Sequence, residues 1–342
     1  MRRYLTFNLK LLLSLILLMF SLASFAEAFC ALRDPLTGIY KLYPQATSYR
    51  SIVRTIDQGT REMVRTTLPP NTLHFGELGR HTLYIALQDD KPIGMVHVRS
   101  EESKWGLVEV AWAINLDMSV HDFTFQRARS SARHLLEQAS FRRQLIGQNF
   151  GSLKKMLVDG THANPKILTI PKGAEALSSV LLRSGLKTLL ITRLAWKTDL
   201  DEINLLHQAK LSFADAHRLI FSKNIFTVNI INALRKEFGT ASTGLDRNSV
   251  VTAKVADKKG RILGAIYLSK ASIDGDQQFL YWSIDRNLHL VNVTTLSPWP
   301  DANREQSFKQ LAGKSFNHQE DCNNQQELMA LEAMITVSQL LE

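Results

Sequence analysis

The stretch Trp112-Ala-Ile114-Asn115-Leu-Asp117-Met118-Ser-Val120 is answered later in the chain by Trp282-Ser-Ile284-Asp285-Arg-Asn287-Leu288-His-Leu290. In each copy a glycine, Gly94 or Gly264, precedes the tryptophan by 18 residues, so the copies stand 170 residues apart. Downstream, Gln144-Leu145-Ile-Gly147-Gln-Asn-Phe150 is matched by Gln310-Leu311-Ala-Gly313-Lys-Ser-Phe316, with the offset slipped by four residues. Agreement of spacing, polarity and aromatic position over three blocks predicts a duplicated unit, and a repeat constrains architecture before local propensity does.

Around the first copy the strand signals are Thr82 to Leu87, a turn at Asp89-Asp90-Lys-Pro92, Ile93 to Val98, and Leu107 to Ile114. Alternation of Val108, Val110, Trp112 and Ile114 predicts a half-buried antiparallel meander with Trp112 as a core anchor. Asn115 and Asp285 open the turns that follow, where Asx side chains bond nearby backbone. The second copy repeats the meander from Ser249 to Thr294, with a hairpin at Asp257-Lys-Lys-Gly260.

The rest of the chain carries helical signals. A turn at Asp34-Pro35-Leu-Thr-Gly38 leads to an amphipathic helix from about Ser48 to Leu68, its apolar face built from Ile52, Ile56 and Met63 and its end set by Pro69-Pro70. A helical stretch from about Phe125 to Gln138 carries Arg127, Arg129 and Arg133, and the 3.6-residue period from Ala174 to Leu194 predicts a packed helix. Between the copies, Ile203, Leu206, Leu211, Leu219 and Leu234 are spaced as two short helices, with Ser212 and Asp215 as a capping pair. A last helix is expected from about Gln325 to Leu341. The fold class is therefore α+β: two repeated modules, each an antiparallel sheet packed with helices, joined by a helical linker. The expected boundaries are a leader at 1–28, an N-terminal helical segment at 29–81, the first module at 82–197, the linker at 198–245 and the second module at 246–342.

Arg2 and Arg3, the apolar run Leu11 to Ala23, and Ala26-Glu27-Ala28 have the order of a secretory leader, which predicts export to the periplasm and a mature start at Phe29. The formal charge is +9, of which Arg2, Arg3 and Lys10 against Glu27 contribute +2, leaving +7. Basic residues look scattered, and no nucleic-acid motif accompanies them. The positive balance fits weak attraction to anionic membranes or phosphate-bearing ligands, or simply a solvated basic surface. Cys30 and Cys322 stand at opposite ends of the mature chain, placed either to form one disulfide or to remain unrelated thiols. No C-x-x-C, G-x-S-x-G or H-E-x-x-H occurs. Gly313-Lys314-Ser315 lacks the earlier glycine of a P-loop, because Phe308 stands there. His97 alternates with Val96 and Val98 and is expected at the surface or capping the sheet.

Tyr84-Ile-Ala86, Ile93-Gly94, Asp117-Met118-Ser-Val120-His-Asp-Phe123 and Phe141-Arg-Arg-Gln144-Leu-Ile-Gly147 together resemble the FMN-binding domain of periplasmic flavin-carrying subunits in Rnf-type and sodium-pumping NADH:quinone oxidoreductase complexes. Leu42-Tyr43-Pro44 and the leader are similar too. In that family a serine-glycine-alanine-threonine motif opens the last helix, and its threonine holds FMN through a phosphoester bond. Here the nearest segment is Lys172-Gly173-Ala174-Glu175-Ala-Leu-Ser178, with a carboxylate where the acceptor hydroxyl belongs. The family's Glu-Thr-Pro-Gly-Leu segment is replaced by Gln126-Arg127-Ala-Arg129.

The resemblance implies FMN held noncovalently if at all, and a partner in an inner-membrane redox complex or another envelope protein. A flavin phosphate asks for a helix N-terminus or cations. Arg127, Arg129, Lys172, Gly173 and Ala174 are the expected phosphate-side residues, with Ser178 and Ser179 as further hydrogen-bonding groups. A solvated helix face for the arginines and an ordinary turn at Gly173 are the competing readings. Two functions follow: a flavoprotein of membrane electron transport, or a noncatalytic envelope module that has lost the flavin site.

Overall fold

The computed structural model describes residues 35–221, 251–273, 276–296, 302–314 and 333–334. The leader, Cys30, Cys322 and nearly all of the helix expected near 325–341 lie outside them. The chain divides into two compact units, Met1–Ala86 with Gly94–Trp196, and Leu87–Ile93 with Lys197–Glu342. The described residues are α+β, with two five-stranded antiparallel sheets packed with helices.

In the first unit, helix α1 (Pro35–Leu42) is followed by β1 (Ser48–Ile56), α2 (Gln58–Thr67), β2 (Gly79–Gln88), β3 (Lys91–Ser103), β4 (Gly106–Ile114) and β5 (Val120–Arg127). The strands lie side by side in chain order. Pro35 opens a helix instead of a turn, as suits a residue whose missing N–H is not needed in the first helical turn.

The helix expected over 48–68 is corrected: its first half is the edge strand β1 and only its second half is helical. Ile52, Ile56 and Met63 mimic a helical stripe, but Tyr49, Ile52, Val53 and Thr55 favour extended backbone on a half-covered surface. Asp57 separates the two elements, since its carboxylate accepts the Thr60 N–H at 2.8 Å and caps α2.

The helix expected over 125–138 is also corrected. Phe123 and Phe125 pair with Trp112 and Val110 across the sheet, which commits this segment to β5. Short helices α3 (Arg133–Leu136), α4 (Ala139–Leu145) and α5 (Phe150–Lys155) follow, then a hairpin of β6 (Leu157–Val158) and β7 (His162–Ala163). The long helix α6 (Glu175–Ala195) comes where its period predicts. It lies against the sheet face bearing Trp112, whose Nε1 donates to Ser184 Oγ at 3.1 Å. Gly185 permits that approach, because a Cβ there would stand 2.8 Å from the indole.

In the second unit, α7 (Lys197–Ser212) precedes β8 (Arg218–Phe221), β9 (Val251–Ala256), β10 (Ile262–Ile273), β11 (Asp276–Asp285), β12 (Leu290–Thr294) and α8 (Ala302–Lys309), with sheet order β12-β11-β10-β9-β8. The region expected to be purely helical between 198 and 245 thus contains a strand, and Ser212 ends a helix instead of capping the start of one. Its core joins Leu205 and Ala209 of α7 to Val255, Ile266, Leu268 and Tyr281 of the sheet. Trp282 is fully buried; its Nε1 donates to Ser269 Oγ at 2.8 Å and its ring meets Phe308 at 5.9 Å.

The turns after the tryptophan strands have definite geometry. After β4 the Met118 N–H donates to Asn115 O at 3.0 Å, with Met118 at φ 66°. After β11 the Leu288 N–H donates to Asp285 O at 3.2 Å, with Leu288 at φ 61°. The Gly147 N–H donates to Val120 O at 2.7 Å, and the Gly313 N–H to Leu290 O at 2.8 Å.

Candidate functional site

Five of the seven residues expected to hold a flavin gather at the start of α6. Gly173 sits at φ 85° with open space around it, so conformation accounts for the glycine. Glu175 is the first helical residue, and its Oε1 accepts the Gly173 N–H at 3.1 Å. Its own backbone N–H and that of Gly173 hold the carboxyl below the usual range. The positive end of the helix is therefore faced by the chain's own carboxylate.

Ala174 and the two serines are buried. Ser178 Oγ donates to Ala174 O at 2.9 Å; Ser179 Oγ donates to Glu175 O at 2.9 Å and accepts the Ala163 N–H at 2.9 Å. Lys172 is exposed beside this turn. The two arginines stand elsewhere in the chain's structure than on a helix: Arg127 ends β5, paired with Glu109 at 3.4 Å, and Arg129 is exposed in the loop beyond. An FMN phosphate needs free donors, and here the Gly173 N–H and both serine hydroxyls are already engaged around a fixed negative charge. This helix start does not fit that group.

A second constellation lies beneath α6. His97, Arg99 and Glu101 alternate along β3 and so share one face of the sheet. Arg183 and Lys187 are one turn apart on α6, and Glu77 comes from the 3-10 turn Phe75–Glu77. Arg99 Nη2 donates to Glu77 Oε1 at 2.8 Å, and Lys187 Nζ donates to Glu77 Oε2 at 3.4 Å. Lys187 Nζ also stands 2.8 Å from Glu101 Oε2, a charge contact without hydrogen-bond angles. Arg183 Nε reaches Glu101 Oε1 at 3.2 Å. Arg99 and Glu77 have no solvent exposure, and Lys187 has 4 %.

His81 Nδ1 lies 3.2 Å from Arg99 Nη1. A guanidinium only donates, so Nδ1 accepts and the ring proton belongs on Nε2. Burial and then the Arg99 charge push the His81 pKa down to about 3. His97, expected at the surface, is instead fully buried: its Nδ1 is 2.8 Å from Thr192 Oγ1 and its ring meets Trp196 edge-on at 5.0 Å. Burial, Arg99 and His81 hold it well below its ordinary value. Burial raises the Glu77 carboxyl, yet Arg99, Lys187 and His74 outweigh it and keep it below the usual range.

The result is a buried set of ion pairs around two neutral imidazoles, in which His81 Nε2, His97 Nε2, Arg99 Nε and Glu101 Oε2 have no hydrogen-bond partner among the described residues, and it fixes α6 on the sheet. The sequence held one signal for it, the His-x-Arg-x-Glu alternation within a strand.

Among the described residues, no group of three or more His, Cys, Asp or Glu is arranged to hold a metal. Among them, too, no helix is long and apolar enough to cross a membrane. No protein-family model matches the chain, and no curated protein or solved structure matches it.

Proposed function

We propose that the chain is a tandem pair of FMN-binding-like modules exported to the periplasm, and that it works as a noncatalytic binding module of the cell envelope. The observation that carries this reading is the Glu175 carboxylate closed onto the Gly173 N–H at 3.1 Å, at the helix start where the resemblance would place a flavin phosphate. A carboxylate there repels a phosphate and offers no hydroxyl for attachment.

Duplication is supported by features that recur 170 residues apart in two separately packed sheets. The Met118 and Leu288 turns share φ values of 66° and 61°. Both tryptophan strands slip register at the corresponding place, between Ala113 and Ile114 and between Ser283 and Ile284. Gly94 abuts Tyr43 and Gly264 abuts Phe213, again at that offset. The buried charges do not recur: Tyr267, Ser269 and Ala271 stand at the positions of His97, Arg99 and Glu101. The partner is an envelope protein or inner-membrane redox complex, met as a binding subunit.

The test is the visible absorption of the mature protein purified from the periplasm, followed by titration with FMN. A colourless protein whose added FMN keeps its free fluorescence supports the reading. Flavin that copurifies, or that titrates with saturation, overturns it in favour of a flavoprotein of electron transport whose FMN phosphate is met by Arg127, Arg129 and Lys172. The Glu175→Thr variant is the control for whether this one side chain excludes the cofactor.

A further inference from the structure

The positive charge of the chain is not evenly spread. The described part of the first unit, residues 35–86 and 94–196, holds twenty basic and eleven acidic residues, a net +9. Residues 127–174 alone hold nine basic and two acidic, a net +7, so this one stretch between β5 and α6 carries most of the excess.

The same stretch presents aliphatic side chains to solvent. Ile146 is 44 % exposed, Val158 41 % and Ile167 51 %. Each stands near an exposed cation in sequence: Arg143, Lys155 and Lys166. Hydrogen bonds tie the segments together. The Gln144 side chain clamps α4 to the loop before α6, accepting the Thr169 N–H at 2.8 Å and donating to Thr169 O at 3.1 Å. The Asn164 N–H donates to Met156 O at 2.8 Å, joining the end of α5 to the same loop. The helix end carrying Ile146, the hairpin carrying Val158 and the loop carrying Ile167 are thus held as one built region.

We propose that this region, residues 139–172, is a docking surface for an anionic lipid bilayer. Charge complementarity favours it: a net positive region gains from the negative surface of phosphatidylglycerol-type headgroups. The apolar content also fits. Apolar side chains flanked by lysine and arginine enter the headgroup boundary while the cations stay at the anionic surface. The inference goes beyond the proposed function and stands whether or not flavin is bound.

The experiment is cosedimentation of the full mature protein with vesicles of phosphatidylglycerol and phosphatidylcholine, against vesicles of phosphatidylcholine alone. Binding to the anionic vesicles alone is expected. It is lost as added salt shortens the screening length from about 10 Å to about 3 Å. The triple variant R143E/K155E/K166E should weaken binding by about 100-fold or more, from about fivefold for each basic side chain near the surface. An unchanged melting temperature shows that its fold is intact. Should the triple variant not fold, the salt dependence of the wild type and the variant I146D/I167D provide the same decision. Equal binding to both vesicle types, no binding to either, or capture of an acidic protein without vesicle binding would each overturn the proposal.

Discussion

Gly94 is pressed against Tyr43: a Cβ on Gly94 would stand 2.2 Å from the phenol oxygen and 2.4 Å from Cζ. That oxygen donates to Ile114 O at 2.7 Å, and burial pushes the phenol pKa up. The chain after α1 is thereby fastened to β3 and β4 through a contact that only glycine allows. Gly94→Ala should cost about 3 kcal/mol, because the phenol is displaced and its buried hydrogen bond is lost. All three nearest atoms belong to Tyr43, so G94A/Y43L should cost less than the sum of the single changes, read from urea melts.

Gly264 in the second sheet should behave differently. A Cβ on Gly264 would stand 2.3 Å from the backbone oxygen of Ile284 as well as 2.7 Å from Phe213. Shortening the aromatic cannot move a strand carbonyl. Gly264→Ala should therefore destabilise by about 3 kcal/mol or more, and adding Phe213→Leu should give no rescue. A rescue as large as that at Gly94 would show that the strand yields.

Gly94 and Gly264 stood out by their matched spacing to the tryptophans, and the tryptophan strands and the helix over 175–195 by the alternation and 3.6-residue period that mark a buried face. Strand β1 was hidden. As an edge strand it is half exposed, so the alternation that marks a central strand is diluted, and Ile52 and Ile56 fall at helical spacing by coincidence. The buried charges were hidden for another reason. His97, Arg99 and Glu101 look like the wet face of a strand until α6, about eighty residues later, covers them with Arg183 and Lys187. At the helix start Glu175 was legible as a departure from the motif of the family that the sequence resembles, but not its bond to Gly173.

Breaking the charge cluster on one side should be costly. Arg99→Met leaves Glu77 buried with Lys187 as its remaining strong cation, and should lower stability by about 3 to 5 kcal/mol. Changing Arg99 and Glu77 together to apolar residues of similar volume should cost less than Arg99→Met alone. Equal losses would mean that the salt bridge itself, and not the stranded carboxylate, holds the fold.

Trp196 fixes the edge of the sheet, since its Nε1 donates to Ile52 O at 3.0 Å from a fully buried ring. Trp196→Phe keeps most of the packing but removes that donor, which should cost about 1 to 2 kcal/mol. Hydrogen exchange should show the loss as faster exchange along β1, with β4 unaffected. Uniform acceleration over the whole sheet would argue against a local anchor.

Acid should unfold the first unit earlier than its carboxylates alone would dictate. His81 has a folded pKa of about 3, against about 6.5 when unfolded, because burial and Arg99 oppose its protonation. Between those values the unfolded chain binds a proton that the folded chain refuses, so stability is complete above about pH 6.5 and falls as pH drops toward 3. His97 is depressed in the same direction, and each histidine contributes about 1.4 kcal/mol per pH unit within its window. Glu77 adds a loss below about pH 4.3, since its carboxyl is held below its unfolded value. Urea melts from pH 7 to pH 4.5 isolate the histidine part, above the carboxylate range. His81→Gln, which can keep an acceptor toward Arg99, should remove about 1.4 kcal/mol per pH unit from the slope there, leaving the share of His97 and that of His121, which burial also depresses. A slope indistinguishable from the wild type would mean that the imidazole charges readily within the fold.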